Sequence, residues 1–407
     1  MYKKIKVYFK NKNLEKKLKK DNKFFDYQNN THITSAKKVL IIDDKLPEFD
    51  KDSGSRRLNI IIDILLQNKV TVYLIGDFKE YKYKTDYVAY YRNKGVVVYE
   101  PSLDESGKLI TKELFIATIS DGLDFVWLHR PLIFKKYYTV IKKYNAKVKI
   151  AFDMVDFHYL RMKRESELKN NSKLLEEANK FLEIELNNAQ LADEIIVISE
   201  TDKVNFATYF PDVSKMKVIS NIHNFINDNH NFKSFDERKG LLFVGSFDHL
   251  PNVDAVNYLK DEIMPLIWNT NPDIQLTVVG SNPPQHILNL DTEHFRVLGY
   301  VEDLTEYFNT SRLFIAPLRY GAGIKGKIGQ SMEFGLPLVT TDVGAEGFDF
   351  GTLYHTMVAN QSEAFAQLAV NMYTDKALWN SVSENSKRVL EPFSLSQTTS
   401  TIMGMLD

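Results

Sequence analysis

The chain has 407 residues, of which 44% are apolar and 26% charged, values typical of a soluble globular protein. This length is too great for one ordinary core and predicts two domains of roughly 200 residues each. The formal net charge of −1 argues against general nucleic-acid binding, and the absence of cysteine excludes disulfides, thiolate zinc sites and a cysteine nucleophile.

Residues 1–37 are predicted to form a basic N-terminal extension. Its first 20 residues contain nine lysines and the single acid Glu15, with apolar side chains such as Tyr8 and Phe9 between them. This pattern suits peripheral contact with an anionic membrane face, and it equally suits a solvated basic tail. No apolar run approaches the roughly 18 residues that span a bilayer, and no signal peptide opens the chain. We therefore expect a cytoplasmic protein, at or near the inner face of the cell membrane.

The first domain is predicted over residues 38–222. Apolar runs of strand length alternate there with amphipathic stretches, which predicts a parallel sheet covered by helices. A long amphipathic helix is predicted from Ser166 to Asn188. The predicted strands cover residues 39–42, 70–75, 96–99, 125–128, 148–152, 195–199 and 217–219.

A polar loop follows the first predicted strand. Gly54 and Arg56 lie near the start of the next helix, whose free N–H groups favour an anion, so both are candidate cleft residues. The triplet Asp50-Lys51-Asp52 has the spacing of a metal-binding DxD motif. Because it lies beyond the strand end in a polar loop, we interpret it as a solvated turn, and no metal site is predicted.

Two histidines come directly after predicted strands of this domain. Ligands of α/β proteins bind at the carboxyl ends of parallel strands, where His129, Asp156 and His158 are located. A lone histidine is often structural, so for His129 both interpretations stand. For His158 the functional interpretation is favoured, together with Asp156.

Residues 223–239 are rich in asparagine, histidine and charge, and are predicted to be a linker. A second domain follows over residues 240–390, and residues 391–407 are predicted to form a helix that crosses back to the first domain. In the second domain, Gly245 and Ser246 follow the first predicted strand, and Tyr300 and Val301 follow a later one.

The most informative stretch runs from Ala316 to Phe348 and reads as strand, glycine loop, helix, turn and strand. Gly321 and Gly323 lie in the loop, and Lys325 and Lys327 at the start of the helix. The free N–H groups and dipole of a helix start attract an anion, and two lysines add positive charge. The stretch therefore predicts a diphosphate site. It is not a P-loop, which requires a hydroxyl residue after its lysine.

The run GAGIKGKIGQSMEFGLPLVTT resembles the sugar-nucleotide-binding segment of GT-B glycosyltransferases, most closely glycosyltransferase family 4, also called glycosyl transferases group 1. That family has a glycine-rich loop, a basic residue and a helix of the form E-A-M-A-x-G-x-P-V-V. Both acids of its E-x7-E pair are replaced here, by Ala322 and Gln330. Glu333, one helical turn after Gln330, is a candidate substitute.

The resemblance implies an α/β protein with the GT-B fold, in which two Rossmann-like parallel-sheet domains face each other across a cleft. It also assigns roles to individual residues. The catalytic candidates are His158, Asp156 and Lys327. The candidates for binding the donor diphosphate are Arg319, Gly321, Gly323, Lys325, Lys327 and Gly54. The candidates for binding the nucleotide are Gly245, Ser246, Tyr300, Val301, Gln330 and Glu333.

The implied activity is transfer of a hexose or deoxyhexose from a UDP-, GDP- or dTDP-sugar to a glycan, lipid-linked or protein-linked acceptor. Bacterial surface polysaccharide or glycoprotein synthesis is the implied setting. Family 4 enzymes retain anomeric configuration without a metal, and no cofactor is expected. If this protein inverts instead, His158 or Asp156 has to take the acceptor proton. Because Gln330 replaces a ribose-binding acid, a dTDP-sugar, which has fewer hydroxyls, is a further hypothesis.

Two other classes of function are compatible with the sequence. The missing acids favour a non-catalytic GT-B partner protein that binds a glycan or another transferase, whereas the intact lysines oppose it. A GT-B epimerase is compatible with the fold. A phosphorylase is disfavoured because nothing identifies a lysine-bound cofactor.

Overall fold

The structure is a computed structural model that describes residues 2–26, 37–80, 83, 86–223 and 232–407, with side chains from residue 7 onward. Within these ranges the first domain contains a seven-stranded parallel sheet in the order β3-β2-β1-β6-β7-β8-β9, and a separate antiparallel hairpin of β4 and β5. The strands are β1 (Lys37–Asp43), β2 (Val70–Gly76), β3 (Val97–Val98), β4 (Ser102–Leu103), β5 (Leu109–Ile110), β6 (Phe125–His129), β7 (Lys149–Asp153), β8 (Glu194–Val197) and β9 (Met216–Val218).

The helices of this part of the chain cover both faces of the sheet, with buried apolar clusters on each side. They are α1 (Tyr2–Lys20), α2 (Ser53–Gln67), α3 (Tyr87–Asn93), α4 (Lys112–Ile119), α5 (Pro131–Tyr144), α6 (His158–Lys169), α7 (Ser172–Leu191) and α8 (Glu200–Ala207). The single helix predicted from Ser166 to Asn188 is wrong. Asn170 adopts the left-handed conformation with φ of 49°, which ends α6 and lets Asn171 cap α7.

The second domain contains a five-stranded parallel sheet in the order β12-β11-β10-β13-β14. Its strands are β10 (Leu241–Val244), β11 (Leu276–Val279), β12 (Phe295–Gly299), β13 (Leu313–Ala316) and β14 (Leu338–Thr340). Its helices are α9 (Leu250–Tyr258), α10 (Met264–Thr270), α11 (Gln285–Leu288), α12 (Thr305–Thr310), α13 (Gly326–Glu333), α14 (Asp342–Ala345), α15 (Tyr354–Met357), α16 (Ser362–Thr374) and α17 (Lys376–Leu390). The prediction of two α/β domains with parallel sheets is confirmed.

The basic N-terminal stretch forms helix α1, although its sequence pattern favours neither helix nor strand. The helix packs on the β4–β5 hairpin, where Leu18 is buried against Leu103 and Leu109. The Glu15 carboxylate also accepts a hydrogen bond from the backbone N–H of Leu109, at 3.2 Å. These contacts fix one face of α1 and leave Tyr8 and Phe9 exposed on its surface.

The last helix of the chain, α18 (Leu395–Leu406), belongs structurally to the first domain. Its residues Ile402, Met405 and Leu406 are buried in the same apolar cluster as β1, β2 and α2. The predicted linker over residues 223–239 falls largely on residues 224–231, which lie outside the described ranges. The boundaries of the two domains therefore stay predictions.

Candidate functional site

A cavity of about 580 Å³ opens between the two domains, lined by residues of both. It lies where the strand order of each sheet reverses, between β1 and β6 in the first domain and between β10 and β13 in the second. At such switch points neighbouring connections leave in opposite directions and open a crevice at the strand ends. The predicted site residues that line the cavity are Gly54, Asp156, His158, Gly245, Ser246, Gly321, Gly323, Lys325 and Lys327.

Two non-glycine residues at the cavity wall have a positive φ. Arg130, directly after β6, has φ of 72°, and Val155, just after β7, has φ of 64°. Such conformations cost roughly 1–3 kcal/mol each and persist only where neighbouring contacts hold them. The Arg130 Nε atom donates to Asp43 Oδ1 at 2.8 Å, and the Val155 N–H donates to Asp153 Oδ1 at 3.0 Å. Sequence periodicity gives no sign of this strain.

The Asp153 carboxylate is buried at the end of β7, two residues before Val155 of the cavity wall. Its Oδ2 atom accepts hydrogen bonds from Arg57 Nη1 at 2.9 Å and from Trp127 Nε1 at 2.8 Å. Burial opposes its ionisation, but the Arg57 guanidinium outweighs burial and holds the pKa of Asp153 below its usual value. His129 lies against the same carboxylate with 1% of its surface exposed, and burial lowers the pKa of its imidazole. His129 does not line the cavity, and its structural interpretation is the one that the geometry favours.

His158 begins helix α6 at the cavity wall. Its Nδ1 atom lies 2.6 Å from Asp156 Oδ1, and its ring stacks on Phe181 with centroids 5.6 Å apart. Burial lowers the pKa of His158, but the adjacent Asp156 carboxylate more than reverses this effect and raises it to about 9. The buried Glu185 carboxylate accepts hydrogen bonds from the backbone N–H groups of His158 and Tyr159, at 3.0 and 3.2 Å. At neutral pH the imidazole is therefore held as a positively charged donor.

The Asp156 carboxylate is shared between two cations. Arg161, one turn further along α6, donates from Nε to Asp156 Oδ2 at 2.7 Å. Burial raises the pKa of Asp156, but His158 and Arg161 outweigh it and hold this pKa far below its usual value. Asp156 is thus a weak base, and His158 and Arg161 hold its two carboxylate oxygens in place.

The glycine loop and the start of α13 form the opposite wall. Gly321 and Gly323 have φ of 151° and 72°, conformations that glycine adopts at little cost. Lys327 Nζ donates to Gln330 Oε1 at 2.7 Å, and burial lowers the pKa of Lys327 to about 8. Lys325 Nζ donates to the Gly323 carbonyl at 2.5 Å, and burial lowers its pKa as well. Both ammonium groups stand at a helix N-terminus inside the cavity, where an anion is stabilised.

The two domains touch closely beside this wall, and two glycines of α13 make the contact possible. A Cβ atom on Gly326 would lie 2.4 Å from Ser53 Oγ at the start of α2. A Cβ atom on Gly329 would lie 2.1 Å from Nε2 of His223. Helices α2 and α13 therefore bring their N-termini together at the same cavity, which the sequence predicted only for each helix separately.

The DxD triplet lies in a turn, as predicted, but its two carboxylates are held by hydrogen bonds rather than by solvent alone. Asp52 caps α2 by accepting a hydrogen bond from the Ser55 N–H at 2.7 Å. Asp50 accepts hydrogen bonds from the hydroxyls of Tyr87 and Tyr300, at 2.5 and 2.8 Å. Because Tyr300 belongs to the second domain, Asp50 links the two domains. Within the ranges that the structure describes, no group of three or more acidic, histidine or cysteine side chains is arranged to hold a metal ion.

Arg56 and five of the residues to which the resemblance assigns a role lie outside the cavity lining, and the roles of all the site residues stay predictions. Glu333 is 3% exposed and pairs with Arg56 and His223, at 3.1 and 2.9 Å. Arg319 pairs with Asp254 at 2.6 Å, and Gln330 binds Lys327 as described above. Tyr300 bonds to Asp50, and Val301 packs against the core of the second domain.

Comparisons by sequence match parts of the chain to known proteins. A model of the family Glycosyl transferases group 1 matches residues 238–375. An uncharacterized 44.6 kDa protein in the cps region of Klebsiella pneumoniae is 26% identical over 140 residues, which make up 32% of this chain and 36% of that protein. The chain thus matches about a third of the length of this curated relative.

Solved structures match nearly the whole chain. TarM from S. aureus has a TM-score of 0.70 at 10% identity, covering 92% of this chain and 99% of TarM. HepE from Anabaena, in complex with UDP and glucose, has a TM-score of 0.66 at 13% identity, covering 91% of this chain and 99% of HepE. A glycosyltransferase from Rickettsia africae has a TM-score of 0.62 at 13% identity, covering 91% and 97%. The GT-B fold implied by the sequence is confirmed, as is the resemblance of the second domain to group 1 glycosyl transferases.

Proposed function

Starting from a GT-B fold whose second domain matches the group 1 glycosyl transferases, we propose that this protein is a glycosyltransferase that uses a nucleotide-diphosphate sugar. The observation that carries the proposal is the placement of Lys325 and Lys327 at the N-terminus of α13, across the cavity from His158. Cleavage of the anomeric C–O bond leaves negative charge on the departing diphosphate. Two ammonium groups and a helix N-terminus are suited to stabilise that charge.

The proposed reaction retains anomeric configuration and uses no metal. An inverting reaction requires a base for the acceptor hydroxyl, and neither candidate is suited to that role. His158 has a pKa of about 9 and is already protonated at neutral pH, while the pKa of Asp156 lies far below its usual value. A reaction in which the acceptor attacks on the face of the leaving group needs no protein base, because a freed phosphate oxygen takes the proton. Lys325 and Lys327 supply the positive charge that a metal would otherwise bring.

The donor is proposed to be a UDP-sugar first, with GDP- and dTDP-sugars as alternatives. HepE has been crystallised with UDP and with UDP-glucose, and a TarM mutant with UDP and alpha-GlcNAc-glycerol. The same diphosphate contacts would serve each of these nucleotides. We propose that Gln330, which takes the place of the family's ribose-binding acid, decides the preference among these nucleotides.

The acceptor is proposed to be a glycan, or a lipid-linked or protein-linked sugar, in bacterial surface polysaccharide or glycoprotein synthesis. Support comes from the relative in a cps region and from the glycan ligands of the TarM mutant. Within the described residues no helix combines the length and apolar composition of a bilayer-spanning segment. We propose peripheral membrane contact through α1, because Lys16, Lys17, Lys19 and Lys20 are exposed on the same helix as Tyr8 and Phe9.

A non-catalytic binding role is the second candidate. The observation that favours it is the replacement of both family acids by Ala322 and Gln330, with Gln330 committed to Lys327. Such a protein would bind a glycan or another transferase in the same cleft without turnover.

A panel of sugar nucleotides tests the proposal. Thermal unfolding with each compound should identify a donor, because a ligand that binds the folded state raises apparent stability. The best donor is then assayed for slow hydrolysis and for transfer, with Lys327→Ala compared to the exposed control Lys180→Ala on α7. Turnover that is lost only in Lys327→Ala supports the enzyme. Stabilisation by a nucleotide without any turnover would favour the non-catalytic candidate.

A further inference from the structure

Arg164 of helix α6 reaches across the cleft and binds the second domain at two points. Its Nη1 atom donates to the carbonyl oxygen of Gly321 at 2.8 Å, and its Nη2 atom lies 2.6 Å from Glu346 Oε1. Gly321 belongs to the glycine loop, and Glu346 follows α14. None of the sequence patterns relates these three residues to one another.

Glu346 continues the contact to the proposed diphosphate site. Its Oε2 atom lies 3.3 Å from Nζ of Lys325, which in turn donates to the carbonyl of Gly323. Arg164, Glu346 and Lys325 therefore form a row of ion pairs. At one end of this row Arg164 binds the carbonyl of Gly321, and at the other end Lys325 binds the carbonyl of Gly323. The side chains of Arg164, Glu346 and Lys325 are 26%, 15% and 12% exposed, so water screens their charges only partly.

The helix that supplies Arg164 also supplies His158. The two residues are six positions apart on α6, roughly 9 Å along the axis at 1.5 Å per residue. His158 and Arg161 line the cavity on the same helix from which Arg164 contacts the glycine loop. A single helix of the first domain thus contacts the glycine loop that precedes Lys325 and also supplies residues of the cavity wall.

We propose that Arg164 and Glu346 are positioning residues that couple closure of the cleft to the placement of Lys325. This inference rests on the proposed function, in which Lys325 binds the donor diphosphate. With Arg164 bound, the charge of Glu346 is shared between two cations and the glycine loop is held at two carbonyls. Without Arg164, Glu346 pairs with Lys325 alone and neutralises its ammonium group more fully. The carbonyl of Gly321 then loses its hydrogen bond to the first domain.

The first test requires neither a donor nor turnover. Arg164→Gln and Glu346→Gln are compared with Lys163→Gln, which removes a positive charge from the neighbouring, half-buried position of α6, where the nearest acid is 4.0 Å away. Hydrogen exchange of residues 319–326 should accelerate about tenfold in both cleft variants and stay unchanged in Lys163→Gln. Small-angle scattering should show a more expanded molecule for Arg164→Gln. Unchanged exchange and scattering in both cleft variants would overturn the coupling.

The second test uses UDP as the probe. Calorimetry should give about tenfold weaker binding for Arg164→Gln, and the double variant Arg164→Gln/Glu346→Gln should lose no more than Arg164→Gln alone, because the two residues act as one unit. Strictly additive losses would contradict the proposal. Arg164→Lys, which keeps the charge but cannot make both contacts, serves if the glutamine variant does not fold. If UDP and the other nucleotides do not bind at all, the proposed function fails, whereas the exchange and scattering results still decide the coupling.

Where turnover is measurable, the kinetic constants separate positioning from simple stability. Arg164→Gln should lower kcat and raise the KM for the donor, at temperatures where the variant is fully folded. A variant with a lower melting temperature but unchanged kcat and KM would mean that the ion pairs serve only to hold the domains together.

Discussion

His223 and Glu333 form a buried hydrogen bond, with Nδ1 of the imidazole 2.9 Å from Oε1 of the carboxylate. His223 lies on the segment that leaves the first domain, and Glu333 lies on α13 of the second. Burial lowers the pKa of His223, so the ring is a neutral donor, while the contacts from His223 and Arg56 overcome burial and keep Glu333 ionised. The carboxylate that the sequence offers as a substitute for the family's ribose-binding acid is therefore engaged at the domain junction.

Replacing this carboxylate should destabilise the protein. Glu333→Ala leaves the buried His223 and the guanidinium of Arg56 without their partner, and we expect a loss of about 2–4 kcal/mol in the free energy of unfolding. Urea denaturation measures it, with the exposed Glu176→Ala on α7 as control, expected within about 0.5 kcal/mol of the wild type. A loss below about 1 kcal/mol for Glu333→Ala would contradict a stabilising role for this contact.

The pKa of His158 predicts a pH dependence of stability. Its folded value of about 9 lies above the ordinary value of 6.5, so the native protein keeps a proton that the unfolded chain releases. The stabilisation is complete below pH 6.5 and is lost as pH rises towards 9, by about 1–2 kcal/mol between pH 6.5 and 8. The fall should be smaller in His158→Gln and unchanged in His286→Gln, an exposed control in the second domain. Equal slopes in all three proteins would exclude a raised pKa for His158.

Lys327 predicts a pH dependence of nucleotide binding. Because its pKa is about 8, the free protein loses this positive charge between pH 7 and 9. If only the charged form binds, the affinity for UDP should fall roughly tenfold over that interval. Lys327→Arg keeps its charge at both pH values and should remove most of the fall. Calorimetry at the two pH values decides, and the same fall in Lys327→Arg would assign the titration to another group.

Two glycines in helices should respond in opposite directions to substitution by alanine. The new Cβ atom at Gly329 would meet Nε2 of the buried His223 at 2.1 Å, so we expect Gly329→Ala to cost at least about 2 kcal/mol. The matched change Gly404→Ala on α18 meets nothing within 4 Å and should stabilise by about 0.5–1 kcal/mol. Thermal unfolding of both variants measures the difference. A neutral Gly329→Ala would mean that the domains can separate at this point without cost.

The amide of Gln330 predicts a weak preference between ribose and deoxyribose. Its Oε1 atom accepts from Lys327, which leaves the NH₂ group as a donor to a single hydroxyl. Among UDP, GDP and dTDP, we expect that dTDP is not the weakest ligand of the wild type. Gln330→Glu should shift the affinity ratio towards UDP by up to about tenfold. A calorimetric series in which dTDP binds weakest to the wild type would contradict this hypothesis.

The sequence predicted the features that depend on residues close together along the chain. The residues of β1, β2, β6, β7 and β13 form apolar runs of strand length, which is why these strands were predicted. The order of the strands within each sheet then determines where the cavity lies. Contacts between distant parts of the chain were not predictable. Arg164 and Glu346 meet across 182 positions, and nothing in their local sequence distinguishes them from the other charged residues of the chain.

Sequence patterns also misled where the conformation or the hydrogen bonds of a single residue decided the structure. The break at Asn170 depends on one residue that tolerates a positive φ, and an amphipathic pattern runs through it unchanged. The polar loop around Asp50 and Asp52 predicts solvated carboxylates, but hydrogen bonds to Tyr300 and to the N-terminus of α2 hold both of them.

Helix α18 has a consequence for how the molecule assembles. Because Ile402, Met405 and Leu406 complete a core that otherwise consists of residues from the first domain, that core lacks a piece until the ribosome has also made the second domain. The first domain therefore reaches its final packing only at the end of synthesis, after the second domain has been made.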